Sequence, residues 1–274
     1  MNIIVPIKQV PETSGVRMDE KTGTIVREGV ESIVNPLDLY AVETALRLRE
    51  KLGGRVTAVS MGPPSASRCV REALSMGCDD GVLVCGSEFA GSDTSATAAI
   101  LAAACRKIGG FDLVVTGERA TDGDTAQVGP ELATFMDIPV VTYASRIIGA
   151  DKGRLLIERL VEGGYETVSV QTPCLLTVLK EIAVPRLPRL SGKQKARRAD
   201  IRVWGPGELP SLDPKRIGLG GSPTRVVKIS TPKAARSCKI VKLSNPGDAD
   251  RAADALIAFL KNRRLLPERS VSHE

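Results

Sequence analysis

Histidine is nearly missing from this chain: the one imidazole, His273, stands next to the last residue. General-base histidine chemistry, serine triads and histidine metal sites are thereby excluded, and any electron or proton transfer has to be carried by a cofactor. Aromatic residues make up only 3% of the sequence, so a core must be assembled from Val, Leu, Ile and Ala. The six cysteines (69, 78, 85, 105, 174 and 238) form no CxxC pair, and several lie inside apolar stretches. They read as buried, reduced thiols rather than as a disulfide or metal framework. No apolar run approaches the roughly 20 residues that cross a bilayer. MNIIVPIKQVP lacks the basic start and long apolar region of a secretion signal. The expectation is a soluble, cytoplasmic protein without membrane insertion. Familiar nucleotide motifs are also lacking: no GxGxxG follows the first apolar run, and neither GxxxxGKS/T nor an SGGxDS-type loop occurs. That argues against a conventional dinucleotide dehydrogenase or ATPase.

What is present is order. NIIVPI, RVTAVSMG, DGVLVCG, FDLVVTG and IPVVTYASRII read as strands, and helical stretches alternate with them. Asn35 stands where a helix would be capped, Pro36 fits the first helical position, and Gly53-Gly54 stop that helix. Helices follow over SASRCVREALSMG and SDTSATAAILAAACRKIGG. The alternation predicts an α/β fold, a parallel sheet flanked by helices on both faces, with ligands at the carboxyl ends of its strands. RLLIERLVEGGYETVSVQTP then reads as an antiparallel hairpin closing at Gly163-Gly164, and CLLTVLKEI as one more strand. A boundary falls near Val184, giving an α/β domain over 1–184 and, over 185–274, a stretch that reads as an arm rather than a second independent core. The arm ends in a helix, DADRAADALIAFLKNRRLL, with apolar residues at 252, 256, 259 and 260.

GERATDGDTAQVGPELA, from Gly117 to Ala133, is the sharpest feature. It joins a strand to a helix, where free backbone N–H groups and the helix dipole favour an anion. Gly123 lets a ligand approach the backbone, and Thr125 and Gln127 add donors. The plain alternative is that Asp122 or Asp124 caps the helix. GSDTSATAAI poses the same choice, with Ser92, Asp93 or Thr94 as the cap and Thr97 one turn on. Residues 186–202 carry Arg186, Arg189, Lys193, Lys195, Arg197, Arg198 and Arg202 with only Asp200 opposing them. Without interleaved aromatics or a recognition-helix pattern, this is a solvated basic face or a dock for an acidic protein, ahead of nucleic acid.

Taken together, VPIKQVPET, NPLDLYAVETALRLREKLGG, VTAVSMGPPSA, REALSMGCDDGVLV, GSDTSATA, DGDTAQVGPELA and LVEGGYETV resemble the β subunit of electron transfer flavoprotein. The resemblance covers roughly residues 3 to 190. It implies an adenine nucleotide in the crevice, an obligate α subunit carrying FAD, and a loop after Pro185 that meets acyl-CoA dehydrogenase-type proteins through a leucine, best matched by Leu187, with Arg189, Arg197 and Arg198 beside it. Simple carriers of this family hold AMP. Electron-bifurcating members hold a second FAD, and DGDTAQVGP and FAGSDTSAT are similar to their versions. On that reading FAD is the cofactor, with AMP as the alternative, NADH the donor, and ferredoxin or flavodoxin a further acceptor. Gly123, Asp124, Thr125 and Gln127 are expected to hold the pyrophosphate, with Thr94 and Thr97 alongside. Lys8, Gln9, Val10, Asn35, Asp38, Ser60, Gly62, Asp93, Gly117, Asp122 and Ala126 complete the expected crevice. No residue is assigned as acid or base, and no metal is expected.

Overall fold

A computed structural model describes residues 1–12, 31–151, 153–227, 240, 242 and 244–265, and the backbone of 17–18 and 25–26. His273 and Cys238 lie outside the described residues. Among the described residues thirteen strands occur in chain order: β1 Asn2–Pro6, β2 Gln9–Pro11, β3 Arg17–Met18, β4 Ile25–Val26, β5 Ser32–Val34, β6 Arg55–Met61, β7 Asp80–Val84, β8 Leu113–Gly117, β9 Val140–Asp151, β10 Arg154–Val161, β11 Gly164–Gln171, β12 Cys174–Val178 and β13 Arg202–Trp204. The helices are α1 Pro36–Leu52, α2 Ser67–Met76, α3 Thr94–Ile108, α4 Val128–Met136, α5 Leu190–Arg198, α6 Gly218–Gly221 and α7 Asp248–Asn262.

Nine strands form one sheet in the order β11-β10-β9-β12-β8-β1-β6-β7-β13. From β9 to β13 every neighbouring pair is parallel, whereas β10 and β11 add an antiparallel meander beyond β9. The hairpin closes where Val161 pairs with Gly164, as its glycines suggested. CLLTVLKEI supplies a fully buried central strand, β12, between β8 and β9. The parallel strands are apolar on both sides because helices cover both. Ile3 and Val5 of β1 pack with α1, α2 and α5, while Ile4 between them packs with α3 and α4.

One compact unit runs from Met1 to Ile229, so the stretch after Val184 contributes to it: α5 lies on α2, and β13 extends the sheet beside β7. The backbone approach at α5 is close, since a Cβ on Gly192 would collide with the carbonyl of Ser75. Arg71 donates to the carbonyls of Ala196 and Ala199 at the end of α5, at 2.5 and 3.1 Å. The second unit, Ser230–Glu274, contains α7, whose Asp248 accepts from the backbone N–H groups of Ser244 and Asn245 at 2.8 and 2.7 Å. Leu256 and Phe259 of α7 are exposed.

The basic segment is less free than its sequence suggests. Arg186 turns inward and donates to both Glu43, at 2.7 Å from Nε, and Glu50. Glu43 is buried on α1, and its other oxygen accepts from Arg47 at 2.7 Å. Arg202 pairs with Asp80 at 3.1 Å. Leu187, next to the clamped Arg186, is 88% exposed.

Burial by itself raises the Glu43 carboxyl, but the hydrogen bonds from Arg186 and Arg47 outweigh it and hold the group below the ordinary glutamate range. Its contribution is therefore present above the unfolded pKa and disappears as pH falls through the lower folded value. Replacing Arg186 by Met is expected to lower stability by about 3 kcal/mol at neutral pH, because it strands a buried carboxylate with one partner fewer. Urea unfolding at neutral and acid pH measures this. The gap between variant and wild type should shrink below about pH 4.

Candidate functional site

A crevice of ≈ 410 Å³ opens at the carboxyl ends of β1, β6, β7 and β8, walled by residues of Pro6 to Lys8, by Met61, and by residues of the stretch from Phe89 to Thr97 and of the loop from Thr116 to Gly129. It therefore draws on four strand-to-helix connections, where a parallel sheet places ligands.

Asn35 holds this arrangement from below. It is fully buried at the N-cap position of α1, yet its side chain makes no cap hydrogen bond. Its Nδ2 instead donates to the Arg119 carbonyl at 2.9 Å, and its Oδ1 accepts from the Thr121 N–H at 3.1 Å. The expectation of a capping Asn35 is thus corrected: the amide is spent on the β8–α4 loop, and Pro36 begins the helix without it. One turn on, Asp38 accepts from the Lys8 N–H at 2.7 Å and lines the crevice. Gly117 has to be glycine here, since a Cβ would come within 2.6 Å of Asp38 Oδ1. Gly129 is constrained likewise, by Thr177 Cγ2 at 2.6 Å.

Neither Asp122 nor Asp124 caps α4. Asp122 takes Lys8 Nζ at 2.7 Å, and Asp124 takes Arg119 Nε at 2.9 Å. These carboxylates neutralise the two basic side chains of the crevice mouth, and α4 starts at Val128 with Gln127 at its N-cap position making no side-chain cap. In its first turn the N–H groups of Val128 and Gly129 have no side-chain cap and Pro130 has no N–H, unlike α3, where Asp93 accepts from the Ala96 N–H at 3.0 Å. Asp124 and Ala126 both adopt left-handed backbone, with φ of 54° and 55°. Such residues cost about 1–2 kcal/mol each, a strain that concentrates at ligand sites. Thr116, at the tip of β8, has a buried Oγ1 that no described protein group satisfies, and it too lines the crevice.

Of the residues expected from sequence, Lys8, Asp38, Asp93, Thr94, Thr97, Gly117, Gly123, Asp124, Thr125, Ala126 and Gln127 line this one crevice. Asn35 and Asp122 stand behind it and act through the loop and Lys8. Gln9 accepts from Ser65 at 3.2 Å, Val10 is buried in the β2–β5 pair, and Ser60 is buried in β6. These three and Gly62 are not among the lining residues. Gly123 has nothing within 4 Å of a built Cβ, so no packing need requires a glycine there. Ile7, Met61 and Phe89 lie in strand-end connections that the sequence assigns to the ligand edge, but it did not single them out as an apolar floor, and it missed Glu131, whose Oε1 accepts from Thr94 at 3.2 Å. Burial holds the Glu131 carboxyl above the ordinary glutamate range. Apolar residues at strand ends look like core in a sequence, and nothing marked these.

Burial pushes the Asp38 carboxyl up to about 7, against the opposing pull of the Lys8 N–H, the Asn35 side chain and the Gly117 N–H. A raised folded pKa gives stability that is complete below the unfolded value and is lost as pH rises through the folded one. Relative to Asp38→Asn, the wild-type chain should lose up to roughly 4 kcal/mol between about pH 4 and pH 7. Urea titrations of both proteins across that window provide the check, and parallel curves would remove Asp38 as the source.

Among the described residues no group of three or more His, Cys, Asp or Glu side chains is placed to hold a metal ion, and no helix is long and apolar enough to cross a membrane. The five described cysteines are free, four of them buried. Residues 22–209 match the family model for the electron transfer flavoprotein domain. The chain is 46% identical over 268 residues to the electron transfer flavoprotein subunit beta of Thermoanaerobacterium thermosaccharolyticum, covering 97% of this chain and 100% of that one. It is 41% identical over 267 residues to the caffeyl-CoA reductase-Etf complex subunit CarD of Acetobacterium woodii, covering 97% and 100%. Protein FixA of Azotobacter vinelandii is 42% identical over 265 residues, covering 95% and 94%. With a crevice built at the sheet's carboxyl edge and relatives aligned along nearly the whole chain, this protein belongs to the electron transfer flavoprotein beta-subunit family.

Proposed function

We propose that this beta subunit is of the electron-bifurcating kind and that its crevice takes the ADP half of FAD. The observation that carries the reading is the loop itself: DGDTAQVGP brings Gly123, Asp124, Thr125, Ala126 and Gln127 to the crevice wall ahead of an α4 that has no side-chain cap. The residues fit such a group. Gly117 and Gly129 let α1 and β12 pack close behind the crevice wall, Thr116 Oγ1 has no partner among the described residues, and the first-turn amides of Val128 and Gly129 suit a pyrophosphate. Ile7, Met61 and Phe89 supply an apolar face for a ring.

Electron transfer and pairing with an alpha subunit follow from the family; the finer assignments are proposals. When bound, FAD supplies hydride acceptance from NADH and one-electron transfer, to the alpha-subunit flavin on one side and to ferredoxin or flavodoxin on the other. The residues of this chain bind, orient and exclude water, and none acts as acid or base. The exposed Leu187 with Arg189, Arg197 and Arg198 docks an acyl-CoA dehydrogenase-type partner, and the C-terminal arm packs on the alpha subunit. A relative's name, caffeyl-CoA reductase-Etf complex, supports such an assembly. The volume of ≈ 410 Å³ keeps a second reading in play, in which AMP alone fills the crevice and the subunit only docks dehydrogenases. Counting nucleotides in the purified heterodimer separates the two: two FAD support bifurcation, and one FAD with stoichiometric AMP rejects it.

Gly123→Asp provides a sharper test because a Cβ there meets no protein atom within 4 Å, so the substitution brings no backbone clash of its own. A carboxylate about 4 Å from a phosphate costs roughly 4 kcal/mol at an effective dielectric near 20, before screening. The variant should weaken binding in this subunit at least about tenfold after screening, while the alpha-subunit flavin stays in place. Unchanged nucleotide content would sink the assignment.

The docking reading makes separate demands. Reversing Arg197 and Arg198 to Glu should slow reduction of the partner, with a smaller penalty at high salt, because exposed charges steer encounter and are screened beyond about 8 Å at physiological salt. Leu187→Ala should instead weaken the complex with little salt dependence, since it removes apolar contact. Both should keep normal nucleotide content. Partner-reduction kinetics over a salt series measure this, and wild-type rates in both variants would refute the dock.

A further inference from the structure

The crevice wall from Phe89 to Asp93 is fastened from outside by a segment 129 to 131 residues further along the chain. Asp93 is the joint. One of its oxygens caps α3 by accepting from the Ala96 N–H at 3.0 Å. Its other oxygen accepts twice from Thr224, from the backbone N–H at 2.8 Å and the hydroxyl at 2.7 Å. The Asp93 N–H in turn donates to Ser222 Oγ at 2.9 Å, and Ser222 Oγ donates to the Gly218 carbonyl at 2.7 Å. Two more links run beside them, from the Gly218 N–H to Ser92 Oγ at 3.0 Å and from the Leu219 N–H to the Ala90 carbonyl at 3.1 Å. The seat is tight: Gly218 has φ +61°, and a Cβ there would strike the carbonyl of Glu88.

A cap alone does not account for this. A serine would satisfy the Ala96 N–H with a single oxygen, whereas the carboxylate uses its second oxygen wholly on Thr224, in charge-assisted hydrogen bonds. The first turn of α3 that Asp93 caps carries Thr94 and Thr97 into the crevice. Thr94 Oγ1 also donates to Glu131 on α4, so the orientation of that turn is felt on both walls.

We propose that Ser222 and Thr224 are positioning residues of the nucleotide site: through Asp93 they hold the first turn of α3, with Thr94 and Thr97, in the orientation that a bound adenine nucleotide meets. The inference rests on the reading of the crevice as a nucleotide site and adds the segment from Gly218 to Thr224 to its machinery, although none of these residues lines it.

Thr224→Val, Thr224→Ser, Ser222→Ala and Gly218→Ala are made in the full chain co-expressed with its alpha subunit. Two measurements are taken: hydrogen exchange of the amides from Ser92 to Thr97 without added nucleotide, and equilibrium binding of FAD and of AMP to protein stripped of nucleotide. Thr224→Val should speed exchange of those amides and weaken the nucleotide that the wild type binds by about tenfold, or 1.4 kcal/mol. Thr224→Ser, which keeps the hydroxyl, should restore both, a rescue that a mere packing role for the Thr224 methyl does not give. Ser222→Ala and Gly218→Ala should loosen the same amides, and they keep the test standing if Thr224→Val folds poorly. Wild-type binding by Thr224→Val, or a Thr224→Ser as weak as Thr224→Val, overturns the positioning proposal and leaves the nucleotide reading intact. If the wild type binds neither FAD nor AMP, the nucleotide reading fails and the proposal falls with it.

Discussion

A carboxamide buried beneath the crevice, that of Asn35, ties together three stretches that are distant in sequence. Its backbone N–H donates to the Lys8 carbonyl at 2.8 Å, and its side chain spans the Arg119 carbonyl and the Thr121 N–H. The turn after β1, the start of α1 and the β8–α4 loop are thereby held at one spacing. A group as polar as this enters an interior only when its hydrogen bonds are made, and the same bonds are lost if either loop moves away. The depth of the crevice, the seat of Asp38 against Gly117, and the position of the glycine-bearing loop all depend on that amide being satisfied.

Charge in the crevice mouth is balanced before any ligand arrives. Lys8 is held by Asp122 and Arg119 by Asp124, so the basic side chains are already oriented, and their ion pairs are half-exposed and individually weak. On the proposed nucleotide reading, a phosphate meeting this mouth exchanges one anionic partner for another. It does not have to gather flexible cations from solvent, and the carboxylates keep the mouth from acting as a general anion trap.

The architecture was legible because each parallel strand announced itself as a short apolar run and each helix by its stop signals: Pro36 at the start of α1 and the glycines after it sit where the sequence put them. The site was legible to the extent that it is backbone-built, since loops between strand and helix can be located by periodicity alone. Three things were not. The partner of a side chain such as Asn35 or Arg186 lies 84 to 143 residues away, and no local pattern encodes it. The apolar floor of Ile7, Met61 and Phe89 is chemically the same as core. The reach of the first compact unit to Ile229 was hidden because a three-residue strand, β13, and a short basic helix carry little periodic signal, yet they close one edge and one face of the sheet.

Leu187 stands in solvent on a backbone that has nowhere to go. On one side Arg186 is bound to Glu43 and Glu50 of α1. On the other, α5 is seated on α2, where Gly192 touches Ser75, and the chain after it is locked into the sheet as β13. Ordering a flexible loop around an apolar anchor normally subtracts from association, by about 0.5–1.5 kcal/mol for each immobilised side chain. Here that loss was taken when the chain folded. On the docking proposed for Leu187, a small hydrophobic contact holds a partner without a large interface, and a small interface lets go quickly.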